Sequence, residues 1–508
     1  MESHMFRADE GTCYGEIAVR DLSRSFLCFT LFGATLFVGC SNTAPSRAQL
    51  VVVVDTDAPV HSQLFDHPEL SADAAIDTLR VDAISATGVA KTYDLRSFLG
   101  PSKEDWPISF GVPTGGAEGG GPIWLRLRAF RGDLATPGEV NGVATLDPLP
   151  EITIDRLVDL DPPSEGIVRV RVTLREDCLG VGSSFGATPS TCVDGAHLRA
   201  SPRDGVELVD ETDAIGSLAG TWPRASEVPC RGDAPEGTVC VPGGFSILGD
   251  PAFLGLGDGV TQYDSVPLRP VLVSPFFMDE TEVTVEALQR LFTEGLVADE
   301  PVKQGDPLLP NSEFCTWPGK GSSGSEKLPV NCITYAMAKA ACEARGGTLP
   351  SEAEWEHAAR GRGQARLFPW GNTDASCCST SAARPGDPTL PAQCPGPGIE
   401  AAGSHPLSPA CDGLGDVSRD GVMDLGGSVA EVLRDWFQPL DADCWKKVGG
   451  GILEDPVCVQ DEMTISWSSR GGNWNGGLAA TASPFRYAFS PQDPTSGFRC
   501  VFSARGGS

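Results

Sequence analysis

The most constraining stretch of this 508-residue chain runs from Thr334 to Gly361. Thr334 precedes Tyr335-Ala336-Met337-Ala338-Lys339-Ala340-Ala341-Cys342-Glu343-Ala344-Arg345, a run of mostly good helix formers closed by Gly346. A threonine hydroxyl at the N-cap satisfies an orphan backbone donor of the first turn, and a glycine past the last turn takes the left-handed conformation that ends the helix. Downstream, Ser351-x-x-Glu354 has the form of a capping box, in which the serine hydroxyl accepts from the Glu354 N–H and the Glu354 carboxylate accepts from the Ser351 N–H. Pro350 and Trp355 are placed to add a hydrophobic staple. Two short helices joined by a fixed Gly-Gly-x-Leu-Pro corner are expected, a structural device and not a catalytic one.

Outside this corner the chain is loop-rich. Its 60 Gly and 41 Pro favour turns over long helices, and its length allows two or three domains, each with a core. A formal charge of −30 argues against nucleic acid or an anionic membrane surface as partner. Residues 25–39 are uncharged and mostly apolar, follow Arg20 and Arg24, and are too short to span a bilayer comfortably, which reads as the core of a signal peptide. The run ends Leu36-Phe37-Val38-Gly39-Cys40, the pattern of a bacterial lipobox with Cys40 as the lipidated residue. The expectation is a signal peptide over 1–39 and a lipid anchor and tether over 40–47. The protein would be exported to the cell envelope, at the outer membrane or cell surface, touching the membrane through its lipid anchor only. Cleavage before Cys40 and its acylation leave 14 of the 17 cysteines, an even number that in an exported chain reads as disulfides.

In Ile123-Trp124-Leu125-Arg126-Leu127-Arg128-Ala129-Phe130 the odd positions are apolar while two arginines fall on the other face, the period of a strand; residues 166–175 repeat it with Arg169, Arg171 and Arg175 outward. With Leu50-Val51-Val52-Val53-Val54 and the Gly/Pro/Asp turns between, an all-β sandwich is expected over 48–178, its arginines on a solvated sheet face. Residues 179–239 read as a connector stapled by cysteines. Cys178 with Cys192 and Cys230 with Cys240 are natural short-loop pairs, although sequence alone leaves the connectivity open. Zinc is disfavoured there because no C-x-x-C pair is present and His197 stands alone.

Over about 240–502 the chain resembles the formylglycine-generating, sulfatase-modifying enzyme family. The resemblance rests on Gly243-Gly244-Phe245, Pro275–Thr284, Pro329-Val330-Asn331-Cys332 running into Leu349–Glu356, Phe368-Pro369-Trp370-Gly371-Asn372, Asp424–Val432, Arg470-Gly471-Gly472-Asn473-Trp474 and Gly497-Phe498-Arg499-Cys500. It implies an irregular α+β domain over 240–508, related to C-type lectins, a helix over Val285–Phe292 capped by Thr284, and a family disulfide between Cys342 and Cys500. Such a bridge closes a long loop and stabilises by roughly 4–5 kcal/mol in the chain-entropy model.

The departures bear on function. In active family members two cysteines bind copper(I) after the Arg-Gly-Gly block, because a soft ion needs thiolates. Here those positions are Gly476 and Thr481, and no cysteine lies between Cys458 and Cys500, so copper is not expected. The family's calcium-binding Gly-Asn-Val-x-Glu keeps Glu431 but has Ser428 for the asparagine, which implies a weakened calcium site. Cys377, Cys378, Cys394, Cys411, Cys444 and Cys458 are expected to rebuild the second calcium region with disulfides. A related branch uses histidine-bound iron, yet the last domain has only His357, read as a surface or packing residue, and His405. The resulting expectation is a non-catalytic binding or scaffold protein with an unknown envelope protein or glycan as partner. Arg470, Trp474, Asn475 and Arg486 lie where the family's peptide groove would be. The competing class is an oxidoreductase of the formylglycine-generating type acting on a protein cysteine.

Overall fold

The computed structural model describes residues 48–60, 75–84, 90–100, 102–113, 122–140, 143–185, 187–210, 213–250, 265–362, 366–376, 379–380, 399–448, 450–459, 466–476 and 478–504. The signal segment, Cys40, the tether, Cys377, Cys378 and Cys394 lie outside these residues.

The N-terminal strands are β1 (Gln49–Thr56), β2 (Thr78–Ile84), β3 (Ala90–Leu99), β4 (Ile108–Pro113), β5 (Ile123–Phe130), β6 (Thr136–Val140), β7 (Val143–Asp147), β8 (Ile154–Leu160), β9 (Ile167–Leu174) and β10 (Val206–Val209). They form one sheet in the order β10-β9-β1-β4 and a second in the order β3-β2-β5-β8, with β6 and β7 as a separate hairpin. The expected sandwich is therefore present. Leu50, Val52 and Val54 from the first sheet and Leu79, Leu125 and Leu127 from the second share one buried cluster, each side chain worth roughly 1.5–3 kcal/mol on burial.

Two expectations for this half are corrected. The first two thirds of the segment read as a connector, up to Trp222, is part of the sandwich: β10 pairs antiparallel with β9, and Leu179, Val181, Cys192, Ala219 and Trp222 lie in the same core. Short polar stretches hid this because a four-residue edge strand carries little periodicity. The outward arginines do not simply face water either. Arg126 donates twice to Asp155 at 2.9 and 2.7 Å and Arg128 pairs with Asp82 on one sheet, while Arg171 pairs with Asp55 and Arg175 with Asp57 at 3.0 Å on the other, so both sheets are knit by ion pairs between neighbouring strands and their ends. Their partners lie far along the sequence, on or just beyond a neighbouring strand.

The C-terminal half holds β11 (Thr238–Val241), β12 (Gly244–Leu248), β13 (Arg269–Val273), β14 (Phe276–Asp279), α1 (Val285–Thr293), α2 (Tyr335–Ala344), α3 (Glu352–Ala359), β15 (Ala430–Trp436), β16 (Leu453–Glu454), β17 (Trp467–Arg470), β18 (Tyr487–Ala488), β19 (Ser496–Gly497) and β20 (Val501–Ser503). It is the irregular α+β architecture the resemblance implies. β11–β12 and β13–β14 are the two legs of one long hairpin that breaks at Pro242-Gly243 on one leg and Ser274-Pro275 on the other. Proline removes a ladder donor, so the hairpin bends there and each arm enters a different sheet, β11-β14-β20 and β12-β13-β16. A Cβ on Gly243 would stand 2.5 Å from the Pro275 nitrogen, so glycine is required at the bend.

The halves are not independent. Phe245 and Ile452 belong to the sandwich's buried cluster, with Ile247 and Leu272 packed against it, and residues 47–508 form a single compact unit.

Candidate functional site

The two-helix corner forms as the sequence dictates. The Thr334 hydroxyl accepts from the Met337 N–H at 3.3 Å and the Ser351 hydroxyl from Glu354 N–H at 3.1 Å, while Glu354 Oε2 accepts from the Ser351 N–H at 2.7 Å. Gly346 has φ +81°. Its N–H reaches the Glu343 carbonyl and the Gly347 N–H the Cys342 carbonyl, both at 2.9 Å, which completes a Schellman stop. Thr284 caps α1, accepting from Ala287 N–H at 3.2 Å. Cys342 and Cys500 are bridged, as the family resemblance implies.

Capping aims α3 inward, and there its acids meet buried cations. Arg486 donates from Nε and Nη2 to the two oxygens of Glu352, both at 2.6 Å, and Arg470 donates from Nε to Glu352 Oε2 at 2.9 Å. Arg470 Nη2 also lies 2.8 Å from Glu356 Oε2, and Glu356 Oε1 accepts from Arg360 at 3.1 Å and from the Gly249 N–H at 2.8 Å. Arg360 reaches Asp250 at 3.1 Å. Burial pushes the Glu352 carboxyl up, but Arg486 and Arg470 outweigh it and hold the group down at about 2. Asp435 accepts from the Glu352 N–H at 2.9 Å and the Cys458 N–H at 2.7 Å; burial and then the Glu352 charge raise it to about 7.

A second pair flanks this hub. Glu431 Oε1 accepts from Arg499 Nε and Oε2 from Trp355 Nε1, both at 2.7 Å, so both oxygens of the expected calcium ligand already face a donor. Among the described residues no group of three or more His, Cys, Asp or Glu side chains is placed to hold a metal ion.

The groove residues separate. Arg470 and Arg486 are fully buried with their guanidiniums spent on Glu352, Glu356 and backbone carbonyls, which corrects their reading as groove donors. Their desolvated charges must be paired, and Glu352 of α3 faces both of them. Trp474 is 5% exposed; its indole N–H donates to the Pro494 carbonyl at 3.1 Å and the Phe314 ring covers it at 5.1 Å between centroids. Asn331 clamps this cover by donating to the carbonyls of Phe314 at 3.0 Å and Pro494 at 2.6 Å, and the Cys315–Cys332 disulfide closes the loop beside it. Asn475 alone of the four is exposed. At the copper positions, Gly476 closes a turn onto the Asn473 carbonyl at 2.9 Å and Thr481 is buried.

Residues 225–504, just over half the chain, match the sulfatase-modifying factor enzyme 1-like domain. The chain belongs to this family. Its match starts earlier than the boundary at 240, taking in the Cys230–Cys240 loop. Curated relatives of this family include the inactive Cα-formylglycine-generating enzyme 2 of Mus musculus, 30% identical over 235 residues, covering 40% of this chain and 70% of that protein. The formylglycine-generating enzyme of Bos taurus is 28% identical, covering 31% of this chain and 50% of that one. That of Streptomyces coelicolor is 29% identical, covering 31% and 58%. Among solved structures, PvdO from Pseudomonas aeruginosa aligns with 52% of this chain and 93% of that one at 21% identity and a TM-score of 0.37.

Sequence reasoning passed over Glu352, Glu356 and Asp435. Glu352 and Glu356 stand four residues apart on a capped helix, where like charges repel unless cations face them, and that spacing was the available signal. His357 is a packing residue: fully buried, it donates from Nε2 to the Pro242 carbonyl at 3.0 Å at the hairpin bend, and burial lowers it to about 4.

Proposed function

We propose that this chain is an exported, lipid-anchored member of the family that does not oxidise cysteine and serves as a binding or scaffold protein of the cell envelope. The observation that carries the reading is the state of the family's reactive region. Gly476 and Thr481 offer no thiolate, the eleven cysteines among the described residues are all disulfide-bonded, and Phe314 and Pro494 cover Trp474. Similarity to the inactive mouse relative points the same way. The disulfides favour an oxidising compartment, as an exported protein requires. With Arg499 and Trp355 on Glu431, a calcium ion there would sit against a guanidinium, so the fold is proposed to need no metal at this carboxylate.

The test incubates the purified mature protein with copper(I), oxygen and a Cys-x-Pro-x-Arg peptide and follows the peptide by mass spectrometry. No aldehyde is expected; turnover would establish the oxidoreductase reading instead. Acyl labelling in a bacterial host, lost in Cys40→Ser, tests the anchor.

A further inference from the structure

The bend in the long hairpin opens a cavity of about 610 Å³, inside the range of small-molecule sites. It is lined by Val273, Ser274 and Pro275 at the crossing between the two sheets and by residues of the 223–231 segment, which bridges the bend through the Val228–Gly243 backbone pair. Val228, Pro229, Leu272, Pro275 and Ala504 give it apolar walls, and the prolines and the Cys230–Cys240 disulfide make them stiff. None of these residues belongs to the reactive region around Trp474.

The charges in the lining are unequal in standing. Glu454 is neutralised by Arg224 at 2.6 Å, and the Asp455 oxygens accept from the Ser274 N–H and hydroxyl at 2.6 and 2.7 Å. Arg231 is tied only through its backbone N–H, to the Ala504 carbonyl at 3.0 Å; its exposed guanidinium makes no ion pair among the described residues. In a chain of net charge −30 a cation left open beside an apolar cleft is a selective feature. Gly244, on the wall, is the second. A Cβ there meets no atom within 4 Å, whereas one on adjacent Gly243 would strike backbone, so open space begins at Gly244.

We propose that this cavity binds an amphipathic organic anion, its apolar body against Val228, Leu272 and Pro275 and its carboxylate or sulfonate against Arg231. The site stands whether or not the chain retains catalysis.

The test titrates the mature protein with the anionic fluorophore 8-anilinonaphthalene-1-sulfonate, then displaces it with decanoate or with the neutral decanamide. One saturable site is expected, displaced by decanoate and at least about tenfold less well by decanamide, the worth of one charge-assisted contact. Arg231→Gln should weaken binding about tenfold, and Gly244→Phe should abolish it with the melting temperature kept. Because Arg231 is exposed, its variant folds, and unchanged affinity in Arg231→Gln overturns the proposal. Equal displacement by acid and amide, or no saturable binding, overturns it as well.

Discussion

Neutralising Glu352 is the sharpest probe of how this fold is held. In Glu352→Gln the side chain keeps its size, yet Arg486 loses its bidentate partner and Arg470 loses the acceptor of its Nε. The hub of Arg360, Arg470 and Arg486 against Asp250, Glu352 and Glu356 is balanced, so the variant leaves one uncompensated buried cation. Breaking such a pair costs about 3–5 kcal/mol. A second route gives a similar figure: holding the carboxyl at about 2 against an ordinary 4.5 favours its ionised form by about 3 kcal/mol. The sign follows, since a depressed carboxylate stabilises above its unfolded value and the contribution fades as pH falls from about 4.5 towards 2. Urea unfolding at pH 7 under non-reducing conditions reads the loss, with Glu354→Gln, a partly exposed capping acid, as the control expected to cost about 1 kcal/mol. The double variant Glu352→Gln with Arg486→Met should recover part of the loss. A cost below about 1 kcal/mol for Glu352→Gln, or strictly additive singles, would refute the hub as the electrostatic centre of the domain.

Further outcomes are expected. Replacing both Cys342 and Cys500 by serine should cost about 5 kcal/mol in the chain-entropy account, since the bridge spans 158 residues of sequence; a shift of the urea midpoint measures it. His357 titrates at about 4 when folded against 6.5 unfolded, so the unfolded chain takes up the proton first and stability falls as pH drops between those values, by about 3 kcal/mol in all. His357→Gln keeps a donor for Pro242, and its pH–stability curve should lack that slope. Glu176 is fully buried with no hydrogen-bond partner for either oxygen among the described residues, and burial, then Asp57 and Asp177, raise its carboxyl well above the ordinary range. Its penalty grows as pH climbs past about 4.5, so Glu176→Gln should match the parent near pH 4 and melt higher at pH 8. A thiol assay on the native mature protein should find close to zero free thiols, given that the described cysteines are bridged.

What was legible in the sequence is what local chemistry decides. Caps, stops and alternation are settled by a few neighbours, so Thr334, Gly346, Ser351 and the inward Leu125 and Leu127 stand where their spacing puts them. Arg470 and Arg486 were misread because an arginine's burial depends on acids over a hundred residues away, and nothing in Arg470-Gly471-Gly472 announces Glu352. Phe314 over Trp474 escaped notice for the same reason: the cover comes from a different loop. The connector concealed a strand because β10 is an edge, paired on one side only and exposed at Leu208.

The shared core of the two halves has a practical consequence. A fragment cut to the family match at 225–504 would strip the sandwich from Phe245, Ile247, Leu272 and Ile452, laying a contiguous greasy face open to water. Such a fragment should aggregate where the longer chain stays in solution, and protease treatment of the native protein should not release the family domain whole. The sandwich is a folded-in partner of that domain, not a spacer free to bend away from it.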